Sequence, residues 1–233
     1  MESFPYLFFD LDNTLLDFHK ASEASFFGTS IKFGLERYSS ELYSSFTKIS
    51  AKLWESFEAG KVDRSFLRVE RFRRTFLLHN ISEDPILFGK EYLNGLCEQS
   101  FFEDQALEVA QRLKHAGHRL TLITNGLEEV QSRRLKKTGL DQIFELCFCS
   151  SESLPPKPFP DLYKAAHEAV GSPDKSLCLM IGDNIVCDVL GANKFGFKSC
   201  WYNPKSLKKS TEIHPHYEIE HLLELENLLD FRQ

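Results

Sequence analysis

Tyr6-Leu7-Phe8-Phe9-Asp10-Leu11-Asp12-Asn13-Thr14 carries an apolar run straight into two carboxylates one residue apart, with a threonine close behind. Side chains alternate along a strand, so a strand over residues 6–10 points both acids the same way. Two carboxylates on one side repel each other unless a cation is present. A nucleophile beside a proton donor, both gathered on Mg²⁺, uses such a pair, whereas a soluble protein has little structural use for it.

Outward from this stretch the chain has two textures. After residue 100, apolar runs at about 118–124, 144–149, 177–182 and 198–202 alternate with amphipathic segments near 104–116, 127–138, 160–170 and 186–195. That alternation is the pattern of βαβ units with a parallel sheet. Glu218 to Glu226 reads as a short strand followed by a final helix. Between the first strand and this region only helical periodicity occurs: Ala24, Phe27, Ile31, Leu35; then Leu42, Phe46, Ile49, Leu53, Phe57; then Phe66, Val69, Phe72, Phe76. Ser82-Glu83-Asp84-Pro85 reads as a helix start, Asp63 or Ser65 as the cap of the helix before it, and Gly60 as a separator. The fold class is therefore α/β: a Rossmann-like parallel sheet core from residues 1–16 and 98–233, with an inserted all-helical cap domain at 17–97. An insertion directly after the first strand has its hinges beside Asp10, which makes it a lid over the crevice at the carboxyl ends of the strands.

A length of 233 residues allows one or two domains. The formal charge of −6 argues against a nucleic-acid polymer as partner, because such partners select a basic face. A small anionic ligand stays compatible, since local lysines and a metal outweigh the global sign. Six cysteines without CxxC spacing, and no secretory leader, read as reduced thiols in a cytoplasmic protein. Cys147 and Cys149 read as small hydrophobes on one side of a strand. No apolar stretch reaches the roughly 20 residues of a membrane helix, so no membrane is expected as partner.

Three more segments fall at strand ends. In Leu122-Ile123-Thr124-Asn125-Gly126 a hydroxyl and loop amides just past a strand suit phosphate oxygens; the other reading is a tight turn, although the helical segment after it does not suit a hairpin. Pro155-Pro156-Lys157-Pro158-Phe159-Pro160 is either a stiff loop presenting one lysine or a surface linker of PxxP type. In Leu179-Met180-Ile181-Gly182-Asp183-Asn184, with Asp188 beyond, Asp183 is either a site acid or the cap of the next helix.

Taken in order, the DxDxT of Asp10, Asp12 and Thr14, then Thr124, then Lys157, then the GDxxxxD of Gly182, Asp183 and Asp188 resemble the motif set of the haloacid dehalogenase (HAD) superfamily. FFDLDNTLLDF (8–18), LITNG (122–126), RLKKTGLDQIF (134–144), GFKSCWYN (196–203) and, more loosely, LWESFEAGKV (53–62) are similar to its bacterial pyrimidine 5′-nucleotidase branch with a helical cap. Leu154-Pro155-Pro156 departs from the Gly-containing loop that relatives commonly carry before the lysine.

The resemblance implies a Mg²⁺-dependent phosphomonoester hydrolase working through an aspartyl-phosphate. Asp10 would attack phosphorus, and Asp12 would protonate the leaving oxygen and later activate water. Asp10, the main-chain carbonyl of Asp12, and Asp183 would hold the metal, with Asp188 as a further or supporting ligand. Thr124, the Asn125 amide and Gly126 would hold the transferring oxygens, Lys157 would balance charge, and Thr14 would fix the loop after the nucleophile. The expected ligand is a small phosphorylated metabolite, with nucleoside 5′-monophosphates in pyrimidine and deoxy forms favoured. Specificity is expected in the cap, where Trp54, Phe57 and the Gly60-Lys61 turn are candidates, while Arg68, Arg71, Arg73 and Arg74 read as a solvated basic face. The alternatives are a sugar-phosphate or other small-metabolite phosphatase, a metal-independent 2-haloacid dehalogenase and a non-enzymatic binding module. Asp12 argues against the dehalogenase, because a halide needs no proton donor, and the complete acid set argues against the binding module.

Overall fold

The structure is a computed structural model, described here for residues 3–208 and 212–229. It divides into two compact units, one formed by residues up to Asp17 together with those from Phe101 onward, the other by Phe18–Ser100.

The first unit is built on one six-stranded sheet. β1 (Tyr6–Phe9), β2 (Arg119–Thr124), β3 (Leu146–Cys149), β4 (Cys178–Gly182), β5 (Lys198–Tyr202) and β6 (Tyr217–Ile219) lie in the order β3-β2-β1-β4-β5-β6, every pairing parallel. Central parallel strands are covered on both faces and read as unbroken apolar runs. Leu7, Phe8 and Phe9 are accordingly fully buried. On one face Leu7, Phe9, Leu122 and Ile181 pack with Val109 and Leu113 of α5 (Ala106–His115) and Leu135 of α6 (Glu128–Thr138). On the other, Phe8, Ile123 and Met180 pack with Leu162 and Ala166 of α7 (Pro160–Ala169) and with Phe197. The chain leaves β1 toward β2 on one side and leaves β4 toward β5 on the other, so the strand order reverses between β1 and β4. Ligand crevices form at such a reversal, outside the carboxyl ends of the strands. α8 (Gly191–Phe195) and α9 (Glu224–Leu228) complete this unit among the described residues.

The second unit consists of α1 (Phe18–Lys32), α2 (Ser39–Glu58), α3 (Arg64–Leu78) and α4 (Pro85–Glu98), with a short 3₁₀ turn at Glu36–Tyr38. Asp63 caps α3 by accepting from the Phe66 N–H at 2.7 Å, and Asp84 caps α4 by accepting from the Ile86 N–H at 2.7 Å with Pro85 at its first position. Phe26, Phe46, Phe72, Phe88 and Tyr92 form its aromatic core.

Two expected helix faces are corrected here. On α1, Ile31 is 65 % exposed, while Ala21, Ser22, Ser25, Phe26, Thr29 and Ser30 are buried. Their hydroxyls are satisfied: Thr29 donates to the Ser25 carbonyl at 2.8 Å, Ser30 to that of Phe26 at 2.9 Å and Ser25 to that of Tyr92 at 2.6 Å. Small side chains also let α4 come close, since a Cβ on Gly95 would lie 2.5 Å from the Ser25 hydroxyl. On α3, Phe66 is exposed and the arginines do not share a solvated face. Arg73 and Arg74 pair with Glu70 at 2.7 Å, whereas Arg71 is buried with its guanidinium 4.9 Å from the Phe72 ring and 5.3 Å from that of Tyr92. Burial pushes the Arg71 pKa down, and the ring faces give the cation its partners.

Cys147 and Cys149 share one side of β3 with their sulfurs 3.9 Å apart, but Cys147 is exposed on this edge strand and is not a core hydrophobe. No described helix is long and apolar enough to cross a membrane.

Candidate active site

The site grows from the ends of β1, β2 and β4. Past β1 the Asp10 N–H donates to the Ile181 carbonyl at 2.9 Å, which continues the ladder to β4 by one residue. Asn13 then turns the chain at φ +63°, its N–H bonding the Leu16 carbonyl at 2.7 Å. The turn brings Thr14 back across the strand ends. Its hydroxyl accepts from the Asp183 N–H at 3.1 Å and faces Asp10 Oδ2 at 3.4 Å, so one side chain ties the loop after β1 to the loop after β4.

Asp10, Asp183 and Asp188 each offer a carboxylate oxygen, and these lie within 4.8 Å of one another. The spacing of the last two follows from a π-type turn over Ile185–Leu190, which carries Asp188 back beneath Gly182. A Cβ at Gly182 would fall 2.3 Å from the Asp188 carboxyl carbon, so only glycine admits this approach. The cap of that turn is Asn184, not Asp183: Asn184 Oδ1 accepts from the N–H groups of Val186 at 3.0 Å and Cys187 at 2.9 Å. Asp188 receives the Asn184 N–H on Oδ2 at 3.0 Å. Asp183 holds its backbone through Trp201, whose indole N–H donates to the Asp183 carbonyl at 2.8 Å.

Lys157 is almost wholly buried, at 1 % exposure, and all three protons of its ammonium are used. They go to Asp10 Oδ1 at 2.7 Å, Asp188 Oδ1 at 2.6 Å and the Ile123 carbonyl at 2.7 Å. The proline-rich loop is pinned by the Asn125 side chain, whose Oδ1 accepts from the Lys157 N–H at 2.7 Å while Nδ2 donates to the Lys157 carbonyl at 2.9 Å. The Lys157–Pro158 peptide is cis. Asn125 therefore acts through its side chain on the lysine loop, a task its position in the sequence did not disclose.

Thr124 Oγ1 accepts from the Gly126 N–H at 3.1 Å and from Gln131 Nε2 at 3.2 Å. Both lone pairs are thus occupied, which leaves the hydroxyl hydrogen to donate to a ligand oxygen. Gly126 leaves room for the Gln131 amide, because a Cβ there would lie 2.0 Å from Gln131 Nε2.

The Asp12 carboxylate stands outside the three-acid group. Its Oδ2 accepts from Gln131 Nε2 at 2.7 Å and its Oδ1 from Arg134 Nη1 at 2.5 Å, while Gln131 Oε1 accepts from Arg134 Nη1 at 2.9 Å. Gln131, Arg134 and Trp201 were missed by sequence reasoning. The available signal for the first two was a polar pair at i and i+3 on the helix that follows Thr124-Asn125-Gly126.

Asp10, Asp12, Asp183 and Asp188 thus face Lys157 and Arg134, an excess of two negative charges when every group is ionised. The excess shows in protonation. Burial raises Asp10 to about 7, against the pull of Lys157 and with Asp188 adding to the rise. Burial, then Asp10 and Asp188, hold Asp183 well above the usual carboxylate range. Lys157, despite its burial, is held well above the ordinary lysine value by Asp10 and Asp188. Hard oxygen donors, close-set and short of two positive charges, fit a divalent cation of the Mg²⁺ type.

The cap candidates sit in the helical unit. Phe57 is buried beside Leu53 and Leu67, with Trp54 edge-on at 5.6 Å, and Gly60 (φ +69°) and Lys61 are exposed.

Comparison with known proteins agrees with this architecture. Residues 5–196 match the family model of the haloacid dehalogenase-like hydrolases. The chain is 28 % identical to pyrimidine 5′-nucleotidase PynA of Streptococcus pneumoniae, covering 97 % of this chain and 95 % of that protein. It is 27 % identical to pyrimidine 5′-nucleotidase YjjG of Escherichia coli, covering 96 % and 97 % respectively. The magnesium-bound crystal structure of the putative HAD-hydrolase YfnB from Bacillus subtilis superimposes with a TM-score of 0.91 at 28 % identity, covering 98 % of this chain and 99 % of that one. With four strand-end motifs on a six-stranded parallel sheet and a family match over most of its length, the chain belongs to the haloacid dehalogenase-like hydrolases.

Proposed function

We propose that this phosphomonoester hydrolase depends on Mg²⁺ and acts on nucleoside 5′-monophosphates, pyrimidine and deoxy forms first, in the cytoplasm. The observation that carries the reading is the separation of the acids: Asp10, Asp183 and Asp188 converge, while the Asp12 carboxylate is held apart by Gln131 and Arg134. A converging set suits a metal and a nucleophile, and a separate acid suits proton transfer to an alkoxide.

Asp10 attacks phosphorus as the bond to the leaving oxygen breaks, and Asp12 gives that oxygen its proton. Asp12 then takes a proton from water as water displaces Asp10 from phosphorus. Thr124 donates its hydroxyl hydrogen to a phosphoryl oxygen, beside the Asn125 amide and Gly126, and Lys157 offsets the charge gathered on Asp10. Asp10, Asp183 and the Asp12 carbonyl would hold Mg²⁺, with Asp188 supporting, and the ion supplies positive charge against the phosphoryl oxygens.

The nucleotide preference rests on the names of PynA and YjjG and on their near full-length similarity to this chain. Selection among leaving groups is assigned to the inserted helices, with Trp54, Phe57, Gly60 and Lys61 as candidates. Cys97, Cys147, Cys149, Cys178, Cys187 and Cys200, none of them in a disulfide, support a reducing compartment. Phosphate release across nucleotides and sugar phosphates, with Mg²⁺ and with EDTA, tests the proposal. The highest kcat/KM should fall on pyrimidine 5′-monophosphates, and EDTA should silence all of them. A higher kcat/KM on sugar phosphates, or turnover indifferent to EDTA, would overturn it.

A further inference from the structure

α6 turns one face toward the proton-transfer acid; Gln131 of that face also reaches the Thr124 hydroxyl, whereas the Arg134 guanidinium bonds, among the described residues, Asp12 and Gln131 only. Gln131 and Arg134, one helical turn apart, give each oxygen of Asp12 one donor, at 2.7 Å and 2.5 Å. The amide of Gln131 has one orientation only: its Oε1 accepts from Arg134, so its Nε2 faces Asp12 and Thr124. A single side chain therefore registers the Thr124 hydroxyl against the Asp12 carboxylate.

Arg134 is fully buried, and its Nε and Nη2 have no hydrogen-bond partner. Two buried donors without acceptors are costly, and an apolar side chain of similar volume would avoid that cost. What such a side chain could not do is bond Asp12.

We propose that Gln131 and Arg134 are positioning residues that aim the Asp12 carboxylate at the leaving oxygen, so that hydrolysis of esters with poor leaving groups passes through them. The proposal rests on the phosphomonoesterase reading above. In the first step the proton moves from Asp12 to the leaving oxygen while the Asp10–phosphorus bond forms. In the second, it returns to Asp12 from water while that bond breaks. In both, each Asp12 oxygen keeps one lone pair on α6 and one directed away from it, which fixes the line of transfer.

The test is a leaving-group series running from 2,4-dinitrophenyl phosphate to uridine 5′-monophosphate, with Arg134→Met, Arg134→Lys, Gln131→Met and, as reference, Asp12→Ala. General acid–base groups contribute about 10²–10⁴-fold. Arg134→Met should lower kcat on the nucleotide about 10²-fold, with KM within about threefold, and Gln131→Met, which also releases the Thr124 hydroxyl, should lower it at least as far. Like Asp12→Ala, Arg134→Met should keep a nitrophenolate burst on the dinitrophenyl ester followed by slow turnover, because phosphoenzyme formation there needs no proton. Arg134→Lys should recover part of the loss, and Arg134→Met should unfold no earlier than wild type. A wild-type leaving-group dependence in Arg134→Met, with Asp12→Ala altered, would overturn the positioning role. An equal loss on every ester, burst included, together with a lower Tm, would overturn it as well. An inactive wild type would instead sink the phosphomonoesterase reading itself.

Discussion

Lys157 is the residue through which the acids are held together. Three bonds from one buried ammonium join the nucleophile on β1, the acid of the π-type turn and the backbone of β2. Burial first, and then the charges of Asp10 and Asp188, hold Asp183 well above the usual carboxylate range against the pull of the same lysine. Two expectations belong to this scale. Thr124→Val removes a hydroxyl whose hydrogen is left to donate; loss of a single such donor costs about 10²–10³ in kcat, to be read by steady-state kinetics at saturating substrate. The second concerns pH. Asp10 at about 7 and Asp183 well above its usual range bind protons that a cation must displace. Mg²⁺ affinity should therefore rise as pH rises through about 7, measured by titration calorimetry at several pH values. The linkage sign for the metal-free protein is the reverse. Its folded state holds a proton on Asp10 that the unfolded chain releases near 4, so its stability should fall as pH rises from about 4 to about 7.

At the scale of elements, two glycines set how closely helices approach the strand ends. Gly182→Ala places a Cβ against the Asp188 carboxyl group, which is already fixed by Lys157 and the Asn184 amide. The neighbour cannot give way, so a loss of about 1–3 kcal/mol is expected in denaturant unfolding, along with activity. Gly126→Ala meets the far end of the Gln131 side chain, which can swing aside. That variant should keep its stability and lose turnover, because Gln131 leaves Thr124 and Asp12 together. The same scale shows where sequence patterns mislead. The periodicity of Ala24, Phe27, Ile31 and Leu35 predicts an apolar stripe, yet α1 buries three serines and a threonine, because Ser25, Thr29 and Ser30 each bond a backbone carbonyl and Ser22 accepts from the Tyr92 hydroxyl. Arg71 reads as a surface charge until the rings of Phe72 and Tyr92 close around it. Tertiary partners of this kind leave no local period.

Across the whole molecule, legibility follows the range of the interaction. Strand positions after residue 100, and the parallel sheet they form, were readable because a strand covered on both faces must be apolar along its length. The convergence of Asp10, Lys157, Asp183 and Asp188 was readable because they follow one another in a fixed order, each at or beyond the end of a strand. Gln131, Arg134 and Trp201 were not, since their meaning arises only when α6 and β5 stand beside β1 and β4. If the excess negative charge is the cation site, Mg²⁺ at about 100 times its Kd should stabilise the whole protein by about 2.7 kcal/mol. Asp183→Asn should lose that gain, as read by Tm with and without the ion.

The most direct test of the central claim is borohydride trapping during turnover, followed by peptide mass spectrometry. With substrate and Mg²⁺ present, Asp10 alone should be reduced to homoserine, and EDTA or Asp10→Asn should abolish the signal. Trapping at another carboxylate, or unimpaired turnover by the Asp10→Asn protein, would contradict Asp10 as the nucleophile.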